Sequence, residues 1–136
     1  MSAASRDRTS RKTRQREALR EVFEQTTRPL TPFEARVLAA RQAPRLGIAT
    51  VYRTIALWVN SGWLTPVTIA GEATRYERAE LRHHHHFRCD RCGQVYDLPG
   101  CALKSKSLAP DGFVVRAHQI TFFGLCRACA RSNGAS

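Results

Sequence analysis

The sequence lacks any apolar run that approaches the roughly 20 residues needed to cross a lipid bilayer. Its first stretch, MSAASRDRTSRKTRQR, also lacks the apolar core of a secretory signal peptide. We therefore expect a cytoplasmic protein with no membrane partner. Cysteines in that compartment are usually reduced, so paired Cys-x-x-Cys motifs favour metal ligation over disulfide bonds.

Acidic residues are scarce, since 11 Asp and Glu stand against 22 Lys and Arg, for a formal net charge of +11. Residues 1–62 hold 12 basic and 5 acidic residues, whereas residues 63–136 hold 10 and 6. A basic first half indicates an anionic partner, most often nucleic acid. A basic surface that only aids solubility is the alternative.

The 136 residues suffice for one ordinary domain or two small ones. Residues 1–13 are polar and basic, and we expect them to form a mobile arm. The apolar spacing then predicts a helix from about Arg14 to Gln25.

A second helix is predicted to begin after Thr31, because Thr-Pro-Phe-Glu supplies an N-cap, a proline at the first helical position and a capping-box glutamate. We expect it to reach about Gln42. The residues expected to face the core are Phe33, Val37, Leu38 and Ala40.

A third helix is predicted from about Ala49 to Ser61, followed by Gly62 as a left-handed cap. Alternating residues on both sides of Gly71 then predict a hairpin. Three helices and a hairpin form the outline of a winged helix-turn-helix, in which the third helix enters the DNA major groove and the hairpin is the wing.

The third helix carries polar residues away from its apolar stripe. They are Thr50, Tyr52, Arg53 and Thr54. Arg53 has the chemistry to bind a guanine edge or a phosphate, and Tyr52 to contact a phosphate or a thymine methyl group. A solvated helix face that touches nothing is the alternative, and the basic arm, the capped helix and the wing together favour DNA binding.

Residues 79–136 are expected to form a second unit, mostly of strands, which makes the chain an α+β protein. The segment from Cys101 to Leu108 is a candidate short helix, and residues 112–126 are predicted to form one or two strands.

Two Cys-x-x-Cys pairs stand 33 residues apart in this second unit. Their members are Cys89, Cys92, Cys126 and Cys129. Four thiolates make a closed tetrahedral zinc site with no open position, so we expect the zinc to be structural. Cys101 is the odd cysteine; we favour a small buried hydrophobic residue, with a spare ligand or a reactive thiol as the alternatives.

Four consecutive histidines, His83 to His86, precede the first pair. If they lie on a strand, alternate side chains point to opposite faces, so two separate metal sites can form. Further ligands would have to come from Glu77, Asp97 or His118. Such mixed imidazole and carboxylate donors suit divalent iron, manganese, zinc or nickel.

The chain resembles the ferric uptake regulator family of metal-sensing repressors. The resemblance is carried by LGIATVYRTI (46–55), HHHHFRCDRCGQV (83–95) and GFVVRAHQITFFGLCRAC (112–129). It implies an amino-terminal winged helix, a carboxy-terminal α/β dimerisation domain, and a homodimer that binds a palindromic DNA operator and represses transcription when metal is bound.

The resemblance also implies residue roles. The cysteine pairs match the structural zinc ligands. The interdomain sensing site matches Glu77, His84, His86 and Asp97. The second metal site matches His83, His85 and His118. The DNA-contacting helix positions match Thr50, Tyr52 and Arg53, and the minor-groove segment matches Arg11, Lys12, Arg14 and Arg16.

This chain departs from the family pattern at the metal sites. Pro29 stands where many relatives place a sensing-site histidine, and Lys104 stands where the second site takes a glutamate. His85 replaces a common aspartate, and the segment from Asp97 to Gly112 is shorter than usual.

Glu77 favours an iron-responsive member, with Fe(II), Zn or Mn as regulatory ions. Zinc-sensing relatives place a cysteine at the position of Ala79, and peroxide-sensing relatives an aspartate at that of Arg78. Zinc- and peroxide-responsive members remain alternatives. A zinc hydrolase would need an open metal position and a general base; the sequence has no HExxH motif, and we expect no enzyme. A zinc-ribbon interaction module would leave the LGIATVYRTI stretch without a purpose.

Overall fold

A computed structural model describes residues 3–80, 83–101 and 108–133, with the side chains of residues 3–6 and 133 left out. The chain divides into two compact units, Met1–Glu80 and Leu81–Ser136. Segregated helices and mostly antiparallel strands make the fold α+β. None of the described helices has the length and apolar character needed to cross a membrane.

The first unit is a winged helix-turn-helix, as predicted. Its elements are α1 (Ala3–Gln25), α2 (Pro32–Ala39), α3 (Ile48–Asn60), β1 (Leu64–Val67) and β2 (Arg75–Arg78). The two strands pair antiparallel, with Leu64 opposite Arg78 and Val67 opposite Arg75, and form the wing. Gly62 has a φ of +79°, so it takes the left-handed cap position that the sequence predicts after α3.

Its core is formed by residues from all three helices and the first wing strand. The largest fully buried side chains include Leu19, Leu30, Val51, Ile55 and Leu64. Trp58 and Trp63 pack edge to face at 4.9 Å between ring centroids, which joins the end of α3 to the start of the wing.

The predicted mobile arm is wrong, because α1 already begins at Ala3. Residues 3–13 contain neither proline nor glycine, and their Ala, Arg and Lys residues are good helix formers. The carboxy-terminal half of α1 packs against the core and is stably helical. The helix therefore extends into the polar amino-terminal half, although residues 7–13 of that half bury no apolar side chains.

The start of α2 is as predicted, and its end and buried face are not. Thr31 Oγ1 accepts a hydrogen bond from the Glu34 N–H at 3.1 Å, and Glu34 accepts one from the Thr31 N–H at 3.0 Å, which completes the capping box. The helix ends at Ala39, and its buried residues are Pro32, Ala35 and Ala39. Of the residues expected to face the core, Leu38 is partly buried against it. Phe33 and Val37 are 57% and 64% exposed, because the close packing of this short helix admits only small side chains.

The second unit contains a three-stranded sheet. Its elements are β3 (His84–Cys89), β4 (Val95–Pro99), β5 (Thr121–Gly124) and α4 (Arg127–Asn133). The central strand β3 pairs antiparallel with β4 and parallel with β5. The predicted strand content of residues 112–126 is limited to β5, and α4 was not predicted. The candidate helix after Cys101 falls largely on residues 102–107, outside the described part of the chain.

Candidate metal sites and nucleic-acid interface

Strand β3 and α4 bring the four paired cysteines together into what we call the tetracysteine cluster: Cys89, Cys92, Cys126 and Cys129. One sulfur atom from each lies within 4.8 Å of the other three. Cys89 ends β3, and the turn after it is closed by a hydrogen bond from the Gly93 N–H to the Cys89 carbonyl at 2.9 Å. Gly93 adopts a φ of +73°, the conformation that favours glycine.

The backbone of this cluster favours thiolates. The N–H groups of Cys126 and Cys92 lie 3.4 and 3.5 Å from Cys89 Sγ and lower the pKa of Cys89 to about 6. A backbone hydrogen bond from Cys129 lowers the pKa of Cys126. The crowded sulfurs conversely raise the pKa of Cys129 to about 12, chiefly through its contact with Cys126. Four converging sulfurs, some already held as thiolates, fit a closed zinc site.

One face of β3 carries the aspartate cluster: His84, His86 and Asp97. Asp97 lies on β4 directly opposite His86 in the sheet register. Its Oδ1 atom is 3.4 Å from His86 Nε2 and 3.8 Å from His84 Nε2. The three side chains are largely buried and offer two imidazoles and a carboxylate to one point. Divalent iron, manganese and zinc all accept this mixture of donors.

The opposite face carries the histidine cluster: His83, His85, Cys101 and His118. His83 Nε2 and Cys101 Sγ each lie 3.2 Å from His118 Nε2. One ligand atom from each of the four residues lies within 4.8 Å of the others. Our interpretation of Cys101 as a buried hydrophobic residue is wrong, because the residue is exposed and faces imidazoles.

His85 is the most confined member of the histidine cluster, at 5% exposure. Within the described residues, neither of its buried ring nitrogens has a hydrogen-bond partner. Burial and the neighbouring His83 and His118 lower the pKa of His85, so its neutral form, the one that ligates metals, is favoured. A buried polar group without a partner costs about 1–3 kcal/mol, which a bound cation would offset.

The other residues named in the predicted metal sites are Glu77, Pro29 and Lys104. Glu77 is on β2 of the first unit, 5% exposed, and opposite Thr65 in the wing register. Pro29 is buried in the first unit and has no donor atom to offer a metal. Lys104, predicted to disfavour the second site, falls outside the described residues.

The first unit offers a basic cleft between α1 and the start of α3. A cavity of about 500 Å³ is lined by Arg11, Lys12, Arg16, Arg45, Thr50 and Arg53, among others. On α3, Tyr52 and Arg53 are exposed, and Arg53 donates a hydrogen bond to Thr50 Oγ1 at 3.2 Å. This arrangement can hold a phosphate backbone beside exposed residues that reach a base edge.

Two residues that the sequence predicts for this DNA-binding surface do not lie on it as expected. Thr54 lines the cleft, but it is buried and its hydroxyl donates a hydrogen bond to the Thr50 carbonyl at 2.7 Å, so it does not belong to the exposed face. Arg14 lines a separate cavity of about 270 Å³.

Sequence reasoning missed Arg45, and it gave a ligand role for Cys101 only as an alternative. The signal for Arg45 was its place two residues before the amino-terminal cap of α3, Gly47. Cys101 carried no spacing signal, since its neighbours in the cluster are 16 or more residues away in sequence.

A family model described as the ferric uptake regulator family matches residues 7–123. The chain belongs to the ferric uptake regulator family. This family consists of metal-responsive transcription regulators, and the winged unit and the metal-ligand clusters are the parts that such a regulator requires.

Individual relatives agree with this membership. The ferric uptake regulation protein of Campylobacter jejuni is 29% identical over 123 residues, which is 86% of this chain and 78% of that protein. The fold matches the Helicobacter pylori ferric uptake regulator with a TM-score of 0.70 at 21% identity, over 93% of this chain and 90% of that one. A zinc-bound manganese uptake regulator matches with a TM-score of 0.74 at 22% identity, over 82% and 87%.

Proposed function

We propose that the protein is a homodimeric repressor that binds a palindromic DNA operator when a divalent metal, foremost Fe(II), occupies the aspartate cluster together with Glu77. The proposal places it in the cytoplasm, where its thiols stay reduced. The observation that carries the proposal is the aspartate cluster itself, because a carboxylate directly opposite His86 on the neighbouring strand turns a histidine pair into a metal-binding set.

Glu77 is proposed as the fourth ligand of this sensing site. It precedes His84 by seven residues and offers a second carboxylate to a set that already holds Asp97. With Pro29 unable to ligate, the proposed set is Glu77, His84, His86 and Asp97. A divalent ion would supply the positive charge that holds a ligand of the winged unit together with ligands of the second unit.

The proposed DNA surface consists of the basic cleft and the exposed face of α3. Arg11, Lys12 and Arg16 line the cleft with Arg53, so phosphate binding along α1 would set the register of α3 in the groove. We propose base contacts for Thr50, Tyr52 and Arg53, and a flanking phosphate contact for Arg14.

The proposed dimer rests on apolar residues of the second unit that a monomer leaves in water. They are Leu108, Phe113, Val114, Phe122 and Phe123, each more than half exposed. Large apolar side chains exposed in this number within one small unit are typical of a subunit interface. A twofold dimer would also present two copies of α3, which a palindromic operator requires.

The tetracysteine cluster is proposed to hold a structural zinc. The histidines receive no catalytic role in this proposal, because the sequence offers no HExxH motif and Asp97 is committed to the aspartate cluster. A zinc-responsive regulator is the second candidate function, and the observation that favours it is the thiol of Cys101 within the histidine cluster. A peroxide response, in which hydrogen peroxide reacts with bound Fe(II), is reduced to water and oxidises a ligand such as His84, would be recognised by loss of DNA binding when peroxide is added to the Fe(II)-loaded but not to the Mn(II)-loaded protein.

The test is DNA binding measured by fluorescence anisotropy on an AT-rich palindromic duplex. Protein stripped of labile metal by a mild chelator, but retaining its tetracysteine zinc, is compared with protein given Fe(II) without oxygen, Mn(II) or Zn(II). We expect Fe(II) or Mn(II) to strengthen binding about 5- to 150-fold, with a steep dependence on salt. Equal binding by stripped and metal-loaded protein would leave a DNA-binding protein that is not a metal sensor.

A further inference from the structure

The histidine cluster contains a thiol that the sequence pattern does not assign to it. Cys101 Sγ lies 3.2 Å from His118 Nε2, and His118 Nε2 also lies 3.2 Å from His83 Nε2. A ring nitrogen carries either one proton or one lone pair, so it cannot form both contacts as full-strength hydrogen bonds. Several donor atoms crowded around one nitrogen are better explained as the shell of a single cation.

The spacing of the donor atoms fits tetrahedral zinc. Two nitrogen ligands about 2.0–2.1 Å from a tetrahedral zinc lie about 3.4 Å apart, close to the His83–His118 separation of 3.2 Å. His85 adds a third imidazole, and both of its buried nitrogens lack a hydrogen-bond partner among the described residues.

We propose that Cys101 is a metal ligand, and that His83, His85, Cys101 and His118 form a three-nitrogen, one-sulfur site for zinc and other thiophilic divalent ions. This inference deepens the second metal site of the proposed function. It gives that site a donor chemistry different from that of the aspartate cluster.

The donor set decides which ions are favoured. A thiolate with three imidazoles matches Zn(II) and Co(II), whereas hard ions such as Mn(II) prefer carboxylate and water ligands. The two faces of β3 would therefore bind different ions: the aspartate cluster would bind oxygen-preferring ions, and the histidine cluster would bind sulfur-preferring ions. The four side chains complete a tetrahedral set, so the site does not need the glutamate that Lys104 replaces in this chain.

The experiment uses Co(II) as the probe on full-length protein that retains one tetracysteine zinc. We expect the first equivalent of Co(II) to give tetrahedral visible bands and a near-ultraviolet sulfur-to-cobalt band. Cys101→Ser should lose the near-ultraviolet band and bind Zn(II) about tenfold or more weakly in chelator competition. Cys101 is exposed, so this substitution should leave the fold and the retained zinc unchanged.

Two variants serve as matched controls. His118→Ala should also remove the sulfur-to-cobalt band or shift it, whereas His86→Ala, on the opposite face, should leave it intact. A band that persists unchanged in Cys101→Ser, with Zn(II) affinity within twofold of the parent, would overturn the proposal. So would loss of the band in His86→Ala alone.

The readout also separates this inference from the proposed function. The cobalt spectrum reports the ligand set whether or not DNA binding responds to metal. Metal-independent DNA binding with a cysteine-dependent cobalt band would refute the repressor proposal and support the site. The opposite result would refute the site and support the repressor.

Discussion

The two faces of β3 use the same residue type for different purposes. His84 and His86 face a carboxylate on β4, whereas His83 and His85 face His118 and a thiol. Neighbouring residues in the sequence thus belong to clusters with opposite donor preferences. The histidine run supplies the common part of each cluster, and under the proposed assignments a single partner, Asp97 or Cys101, would set the metal preference of each.

The two clusters differ also in how their histidines are held. On one face the carboxylate of Asp97, on the same sheet, lies 3.4 and 3.8 Å from the two imidazoles. On the other, burial and then the neighbouring imidazoles lower the pKa of His85.

Removing the tetracysteine zinc is expected to unfold the second unit, and so to disrupt the metal clusters on both faces of β3. Cys126→Ser leaves three ligands and deprives the second unit of a binding free energy on the order of 10 kcal/mol, which is folding free energy for a structural zinc. We expect loss of zinc by elemental analysis, and of dimer by sedimentation. Cys101→Ser, which leaves the tetracysteine cluster intact, is the matched control and should keep one chelator-resistant zinc and the dimer; a folded, dimeric, zinc-free Cys126→Ser protein would contradict the structural role.

A substitution on one face alone should separate the clusters. His86→Ala is expected to abolish the metal-dependent gain in DNA affinity, a loss of up to about 3 kcal/mol, because it removes a ligand that Asp97 cannot replace. Anisotropy titrations with Mn(II) measure the effect. His118→Ala should retain most of the Mn(II) response, and an equal loss in both variants would mean that the two faces do not act separately.

The sequence predicts correctly those elements that depend on residues close together in the chain. The capping box at Thr31, the cap at Gly62 and the wing hairpin follow from short-range chemistry. Alternation along a strand likewise predicts the separation of the histidines, and the structure places His84 and His86 by Asp97 and the other pair by His118.

Features that depend on tertiary packing were not predictable. The exposure of Phe33 and the burial of Thr54 are decided by how closely α2 and α3 pack, which periodicity alone does not report. The approach of Cys101 to His118 depends on the path of the chain between β4 and β5. The helical state of residues 3–13 was missed because polarity was interpreted as disorder.

A substitution in the proposed DNA-binding surface should not change how the clusters on the two faces of β3 respond to metal. Arg53→Ala is expected to weaken duplex binding by about 2 kcal/mol, because it removes a charged contact from the exposed side of α3. The ratio of affinities with and without Mn(II) should stay the same. Arg14→Ala, in the separate cavity, is the control and should cost less; a larger effect for Arg14 would move the interface away from α3.

The smallest expected effect lies in the capping box, far from either face in sequence. Thr31→Ala should lower the free energy of unfolding by about 1 kcal/mol in chemical denaturation, with both metal affinities unchanged. Burial opposes ionisation of Glu34, but hydrogen bonds from Thr31 and Arg28 outweigh it, so the pKa of Glu34 is lowered overall.

The sign of the pH dependence follows from that shift. A lowered pKa in the folded state means that the stability from ionised Glu34 is complete above the unfolded value of 4.5 and is lost as the pH falls through the folded pKa. Glu34→Gln should remove this acid-dependent loss in pH-dependent denaturation. An unchanged acid limb in that variant would show that Glu34 contributes little.

The most direct test of the metal-sensing account is reciprocity between metal and DNA. The factor by which Mn(II) tightens operator binding must equal the factor by which operator tightens Mn(II) binding, since the two effects share one coupling free energy. Mn(II) affinity of the zinc-retaining protein is therefore measured with and without saturating palindromic duplex. We predict an increase of roughly 5- to 150-fold that disappears in His86→Ala; a Mn(II) affinity that the duplex does not change would contradict the account.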